Sequence, residues 1–470
     1  MKIKGKKHFL LSLFLIIFVS LPVLAETPLT LNEALNNALQ KNPKILQFAN
    51  ALSTAEFNLQ RAKNFYAPQI NVMITPFGTD YFPQSDILSS QGDVEAGMTV
   101  RFPVGTQLNV NYQGGYDYEK GRYNDSYSAQ ISYPLFKDPK LTVEALNIHN
   151  AQVSLEKAKL NLNQAIKEVK INTINNFLSL LESKDSLKCL EERIKLNKEE
   201  LQKIREKKEE NLSGELSLLA IEISLVENER ALQNLQNKFC LDKMKFLHFL
   251  DLTNEDISLV VPVIKEENLR EKVQKILKET ISREIIMAGD EVKKAMEEVK
   301  KKDLELKKSQ ENLYPDLSLR IAYNSEGGLS GKEEKWKLSL ILNWTLFDGG
   351  TMKLEEKIAQ NSLKDAQREL EEVIKSREES ILSMKNNLRD ALNQVEIYEL
   401  KRKKIELEEE LMKEQFNLGI KTEKELKDFK ITRMEFERDY RGAIYNLLIS
   451  YLQYRKILGL ELNIDEVIAK

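Results

Sequence analysis

The sequence contains one plan written twice, and this limits its fold more than any single residue does. Residues 29–70 run from an apolar-periodic stretch into Tyr66-Ala67-Pro68-Gln69-Ile70, and residues 266–317 do the same into Leu313-Tyr314-Pro315-Asp316-Leu317. Tyr133-Pro134-Leu135-Phe136 and Trp344-Thr345-Leu346-Phe347 then each open a very long helical stretch. Each stretch breaks once, at Asn211-Leu212-Ser213-Gly214 and at Gly419-Ile420-Lys421-Thr422. The closing segments, Phe249-Leu250-Asp251-Leu252 and Ile457-Leu458-Gly459-Leu460, keep the 208-residue offset that separates those two breaks (211 to 419, 249 to 457). A period this long implies a duplicated unit of opening helix, strands and long helical hairpin. The first unit is expected over 26–261, with strands within 70–133 and a turn near 211–214. The second is expected over 262–470, with strands within 317–346 and a turn near 419–422.

The first 25 residues read as a signal peptide rather than as part of the fold. Lys2, Lys4, Lys6 and Lys7 precede an apolar run over 9–21, and Val23-Leu24-Ala25 offers small residues before a mature start at Glu26. The chain is thus expected to be exported. Removing that segment takes four of the 70 basic residues, leaving 66 against 73 acidic ones, a mild balance that argues against nucleic acid as a partner. Past residue 25 no apolar run reaches 18 residues, so no transmembrane helix is expected.

Between the breaks the periodicity is helical. Leu155, Ala158, Leu162, Ala165 and Val169 alternate steps of three and four, as do Ile381, Met384, Leu388, Ala391, Val395 and Tyr398, followed by Ile405. That spacing predicts coiled-coil-like packing. Helices over 140–210 and 351–417 would be about 100–105 Å long at 1.5 Å per residue. The returning helices, 215–250 and 423–457, reach about half of that. The opening helices, 32–66 and 267–312, supply roughly the remainder. One returning helix stacked on one opening helix therefore matches one long helix, which suggests a tall cylinder, with the segment 257–264 around Pro262 as an interruption partway up.

Elsewhere the period falls to two. Candidate strands are 70–76, 93–102, 106–118, 125–133, 317–323 and 336–346. In Tyr127-Ser128-Ala129-Gln130-Ile131-Ser132-Tyr133, apolar residues alternate with small polar ones; Trp336, Leu338, Leu340, Leu342, Trp344 and Leu346 alternate similarly. A dyad with aromatics near its ends is the pattern of a transmembrane β-strand. Trp336 and Trp344 lie eight residues apart, about 27 Å along a strand, which matches an outer-membrane apolar band. Six strands are too few to close a membrane barrel, and an open edge is not tolerated in lipid. The chain is expected to share its barrel with copies of itself.

These features together resemble the TolC family of outer-membrane efflux channels. Leu29-Thr30-Leu31-Asn32-Glu33-Ala34-Leu35 with Asn42-Pro43 is similar to the start of that family's first helix. Ala67-Pro68-Gln69 and Tyr314-Pro315-Asp316 resemble its helix-to-strand junctions, and Leu346-Phe347-Asp348-Gly349-Gly350 its strand-to-helix junction. The resemblance spans essentially all of the chain after residue 25. It implies a mainly α protein with a β membrane part, a homotrimer whose three chains share one β-barrel and a twelve-helix periplasmic α-barrel. It also implies partners: a periplasmic adaptor (membrane fusion protein), an inner-membrane pump and outer-membrane lipid. The expected role is a passive exit duct for small molecules, metals or polypeptides.

The second break carries the sharpest local likeness. Phe416, Gly419, Lys421, Thr422, Glu425 and Asp428 fall where the family reads Tyr-x-x-Gly-x-Arg-Thr-x-x-Asp-x-x-Asp. Glu425 and Asp428 would then be pore acids of a periplasmic gate, with Lys421 and Phe416 in place of the Arg and Tyr of its latch. Phe416 lacks the hydroxyl, and Lys421 lacks the bidentate fork. Asn211, Gly214, Leu418, Gly419 and Thr422 would form the adaptor-docking tips; Tyr127, Tyr133, Trp336 and Trp344 would form the membrane aromatic bands. The family archetype has two strands per unit, whereas 70–133 reads as four, so twelve or eighteen strands fit the sequence equally.

Other readings have less material. His149 and His248 are isolated, so no metal site, cofactor or His-based catalysis is expected. The stretch 326–333 resembles a phosphate loop only superficially and reads as an exposed hairpin loop. An antiparallel hairpin would bring Cys189 and Cys240 level, which allows a disulfide, although two buried free thiols are preferred because the helix faces must also match. The alternative to a channel is a non-pore periplasmic coiled-coil scaffold or adaptor.

Overall fold

The computed structural model of the chain describes residues 27–82, 87–118, 121–206, 212–252, 257–328 and 331–468. The segment expected as a signal peptide, residues 1–25, and Asn211 lie outside these residues. The two long helices are α3, Val143–Glu206, and α8, Thr351–Asn417. They return as α4, Leu212–Phe249, and α9, Glu423–Ile457. The bounds of α8 and α9 coincide with those predicted, because punctuation at both ends is explicit. Asp348 accepts the backbone N–H groups of Gly350 (2.9 Å) and Met352 (2.7 Å), while Gly349 and Gly350 take the left-handed backbone that a side chain would resist.

The opening helices differ from expectation: both are broken. The first consists of α1, Leu31–Lys41, and α2, Pro43–Lys63. Pro43 has no N–H to continue a helix, and Asn42 accepts the Lys44 N–H (3.0 Å) to start α2 afresh. The second consists of α5, Glu266–Lys278, α6, Arg283–Met287, and α7, Asp290–Glu311. Ser282 caps α6, and Gly289 takes the N-cap position of α7.

The predicted end-to-end stacking is present. Following α3 from membrane end to tip, α2 runs along its first half and α4 along its second, marked by the ion pairs Lys44–Glu168 (2.8 Å) and Lys198–Glu229 (2.8 Å). The buried Asn42 side chain donates to the Phe249 carbonyl (3.1 Å), which ties the end of α4 to the start of α2. Along α8 the corresponding stack is α7 followed by α9. Helix α3 also packs against α9 and α7, through Arg193–Glu435 (2.8 Å) and Lys157–Glu298 (2.6 Å). The wall is therefore four columns wide in the order α2/α4, α3, α7/α9, α8. Its core joins Ile174 and Phe177 of α3, Leu388 and Val395 of α8, and Leu447, Leu448 and Leu452 of α9. The seam residues Ala165, Val169, Ile381, Leu388, Ala391 and Val395 are buried as their spacing predicted.

Partway up, a feature missed in the sequence replaces the expected simple interruption. Strand β1, Thr27–Leu29, pairs in parallel with β6, Ile257–Leu259, and Ile264 bridges Ile468. Residues 27–29, 257–264 and 468 are thus fastened at one level.

All six predicted strands exist and form one sheet, ordered β2, Gln69–Phe82; β3, Ile87–Arg101; β4, Gln107–Asp117; β5, Arg122–Pro134; β7, Asp316–Gly328; and β8, Gly331–Asn343. Every neighbouring pair is antiparallel. Several strands run further toward their outer turns than predicted, and β8 ends one residue before Trp344. The supposed loop at 326–333 is mostly strand, with Glu326 opposite Glu333 and Gly327 opposite Lys332.

Both cysteines are free thiols, Cys189 buried and Cys240 exposed. The structure joins them by no disulfide, and only one thiol is shielded, where two buried ones were expected. Burial pushes the Cys189 thiol upward.

Leu448 has no exposed surface. Its replacement by Ala should cost about 2–5 kcal/mol, read as a lower urea midpoint of the detergent-solubilised protein followed by circular dichroism. Lys403→Ala, at an exposed position of α8, should change stability by less than about 0.5 kcal/mol. Equal effects of the two would contradict this placement of the core.

Candidate functional site

Two parts of the molecule present chemistry outward: the faces of the sheet and the tips of the hairpins. The register sorts the sheet into two unlike sides. One row across all six strands reads Ile70, Met98, Val110, Ala129, Tyr323, Trp336. The next row, one residue further along each strand, reads Asn71, Gly97, Asn111, Ser128, Asn324, Lys335. The row on the other flank of the apolar one reads Gln69, Thr99, Asn109, Gln130, Ala322, Lys337. Because successive side chains point to opposite faces, one face is mainly apolar and the other mainly polar, with Met73 and Ile341 as apolar residues on the polar side.

The apolar face is uncovered. Trp336, Leu338, Leu340 and Leu342 are 75%, 71%, 64% and 60% exposed, and Ile70, Val72 and Ile74 at the opposite edge are similarly open. Aromatic rings gather toward the outer turns, where Tyr112 and Tyr127 lie 5.0 Å apart and Tyr323 and Trp336 4.8 Å apart between ring centroids. Tyr133, Trp344, Leu346 and Phe347 are exposed at the other end. On this face Glu334 shares the row of Tyr112 and Tyr127, and Asp125 and Lys332 lie one row further out, inside the row of Tyr116 and Tyr123. Apolar area of this extent, with aromatic residues toward both ends of the strands, has the chemistry of a lipid-facing surface.

The second hairpin turn is built from two interlocked helix ends. Helix α8 finishes in a Schellman arrangement: the Gly419 N–H donates to the Phe416 carbonyl (3.0 Å) and the Ile420 N–H to the Gln415 carbonyl (2.9 Å). Gly419 has φ +73°, a conformation favouring glycine. Three residues later Thr422 starts α9 with a capping box: its hydroxyl accepts the Glu425 N–H (3.3 Å), and the Glu425 carboxylate accepts the Thr422 N–H (2.9 Å). Lys421 pairs with the other Glu425 oxygen (2.6 Å). The hydrogen bond from Lys421, reinforced by those from Thr422, holds the Glu425 carboxyl down at about 2.

These contacts separate the two predicted acids. Glu425 and Lys421 are engaged with each other inside the turn. Asp428 lies one helical turn further on, and among the described residues its carboxylate has no ion-pair or hydrogen-bond partner. Phe416 is partly exposed and takes part in the turn through its carbonyl. Leu418 and Ile420 project outward, 68% and 67% exposed. Gly214 belongs to the first turn of α4 rather than to a loop.

Ion pairs join α9 to α3 behind the tip: Lys203–Glu423 (3.3 Å), Lys427–Glu199 (2.7 Å) and Lys424–Glu200. They lie near the surface, so salt screens them. The sequence reading also passed over exposed stripes at the two edges of the wall: Leu216, Leu219, Ile223 and Val226 on α4, and Leu400, Leu407 and Leu411 on α8. Their three-four spacing was the available signal.

Because Glu425 is held low, its contribution to the turn is present above the ordinary glutamate range and lost only as pH falls toward about 2. Amide exchange across residues 421–426, corrected for intrinsic rate, should stay protected from about pH 7 to about pH 4. Glu425→Gln should reduce that protection throughout. Loss of protection in the unaltered protein near pH 4.5 would contradict this assignment.

No family model matches the sequence, and no curated protein matches it. The fold does have solved counterparts. The Campylobacter jejuni CmeC outer membrane channel superposes with a TM-score of 0.64 at 14% identity, covering 93% of this chain and 87% of that one. The open-state MtrE outer membrane channel of Neisseria gonorrhoeae gives 0.64 at 10% identity over 92% and 89%. The outer membrane protein VceC of Vibrio cholerae gives 0.61 at 12% identity over 91% and 94%. The chain has the fold of these outer-membrane channels, which is the fold the TolC resemblance implied.

Proposed function

We propose that this protein is the outer-membrane exit duct of a tripartite export system, conducting passively from a pump to the exterior. The observation that carries the reading is the uncovered apolar face across all six strands, backed by a continuous polar face. A polar lumen inside an apolar, lipid-facing band is the arrangement of a membrane pore. A coiled-coil tether in the periplasm has no use for such a face, which disfavours that alternative.

Three copies complete the duct in this reading. Each contributes four helix columns and one sheet, so a homotrimer has a twelve-column periplasmic wall beneath its barrel. The exposed stripes on α4 and α8 sit at opposite edges of one copy, where a head-to-tail ring would bring them together. The chain is organised as two units that meet near residue 261, each supplying strands and one long hairpin. The tips, with Leu418, Gly419, Ile420 and Thr422 in one and the region of Asn211 and Gly214 in the other, face a periplasmic adaptor that connects to an inner-membrane pump. Asp428 is the pore acid of the second tip, and Glu425 is its structural support. The duct requires no catalysis of its own.

In planar bilayers the purified protein should give discrete conductance steps. Asp428→Asn should move the reversal potential in a salt gradient toward zero by reducing cation preference. Glu425→Gln should leave the reversal potential nearly unchanged. Unchanged selectivity in Asp428→Asn would remove Asp428 from the pore, and extraction of the protein from membranes by carbonate alone would remove the duct itself.

A further inference from the structure

Resting on that reading, we infer that all six strands enter the membrane and that β2 of one copy pairs with β8 of the next. Three copies then close an eighteen-stranded barrel. The competing arrangement leaves the hairpin β2–β3 outside the barrel, pairs β4 with the next copy's β8, and closes on twelve strands.

Three observations favour the larger barrel. First, β3 and β4 are paired without a break from Gln91 opposite Asp117 to Arg101 opposite Gln107. Detaching the hairpin would undo that whole ladder. Second, the hairpin carries the same two-sided chemistry as the rest of the sheet. Ile70, Val72 and Ile74 lie on the side of Leu338, Leu340 and Leu342, while Asn71 shares the polar side with Lys335. A hairpin outside the membrane would hold that apolar side in water for no gain.

Third, the helices fix where the strands can go. Only residues 64–68 separate α2 from β2, and only residues 344–350 separate β8 from α8. Helix α2 stands at one edge of the wall and α8 at the other, so β2 and β8 are held above the edges that meet between copies. Strand β4 lies two strands inward, about 10 Å from β2 at the usual strand spacing. For β8 of the next copy to reach it, the hairpin tethered directly to α2 would have to leave the seam. Directions agree as well: β2 leads away from the helices and β8 returns toward them, which makes the new pair antiparallel like every other in the sheet.

At ordinary strand spacing and tilt, eighteen strands give a backbone circle about 36 Å across, against about 24 Å for twelve. The membrane part of this duct is therefore about one and a half times as wide as a twelve-stranded one.

Cross-linking in intact membranes decides between the arrangements. In a Cys189→Ser, Cys240→Ser background, Ser339→Cys on β8 is combined with a single cysteine on β2, scanned over Gln69, Asn71, Met73 and Thr75. In parallel it is combined with one on β4, scanned over Asn109, Asn111 and Gln113. All these positions lie on the polar side, and a short bis-maleimide is the probe. The inference predicts a covalent ladder to trimer on denaturing gels for at least one β2 partner and none for β4. Trimers through β4 alone would overturn it in favour of twelve strands and leave the duct reading intact. A native mass of three copies without cross-links at either strand would overturn it equally. A monomer in the membrane would overturn the duct reading as well.

Discussion

Hydrocarbon offers no partner for a backbone N–H or C=O, and each group left open there costs several kcal/mol. The sheet of this protein turns an apolar side outward and ends in two edge strands, β2 and β8, each with one edge unpaired. Those two facts are compatible with a membrane only if the edges meet edges of other copies. Much of the architecture follows from that requirement. In the proposed trimer the columns α2/α4 and α8 would form the matching edges of the helical wall, and their exposed apolar stripes would continue the seam that the strands begin.

The wall keeps its length by splicing. Neither α4 nor α2 alone matches α3, and their junction is tied by the buried Asn42 side chain, which caps α2 and donates to the Phe249 carbonyl at the end of α4. The strand pair β1–β6 and the bridge between Ile264 and Ile468 fasten three segments distant in sequence at one level. The tips are the least buried part of the wall. Near them α3 and α9 are joined largely through near-surface ion pairs, which salt weakens.

Much of this was legible in the sequence where local chemistry is explicit. Helices α8 and α9 begin and end as expected because Asp348-Gly349-Gly350, Gly419 and Thr422 mark the boundaries with capping groups and left-handed positions. The six strands were visible because one face alternates so regularly. The opening helices were misjudged because their apolar spacing continues through Asn42-Pro43 and past Ser282, which hides the breaks. Strands β1 and β6 are three residues each and far apart in sequence, so only the folded chain reveals their pairing. The outer ends of β7 and β8 were lost where glycines and alternating charges replace apolar residues. Glu425 looked equivalent to Asp428 because both share a helical face; only the cap geometry, in which Thr422 and Lys421 converge on one carboxylate, distinguishes them.

The central claim is that one face of the sheet touches lipid and the other water. It is tested most directly by spin labels placed singly at residues 336–342 of β8 in the reconstituted protein. Relaxation by oxygen, which partitions into lipid, is compared with relaxation by a water-soluble nickel chelate. The account predicts a strict period of two, with labels at 336, 338, 340 and 342 relaxed by oxygen and those at 337, 339 and 341 by the chelate. Relaxation without that alternation, or access of the chelate to both sets, would contradict it.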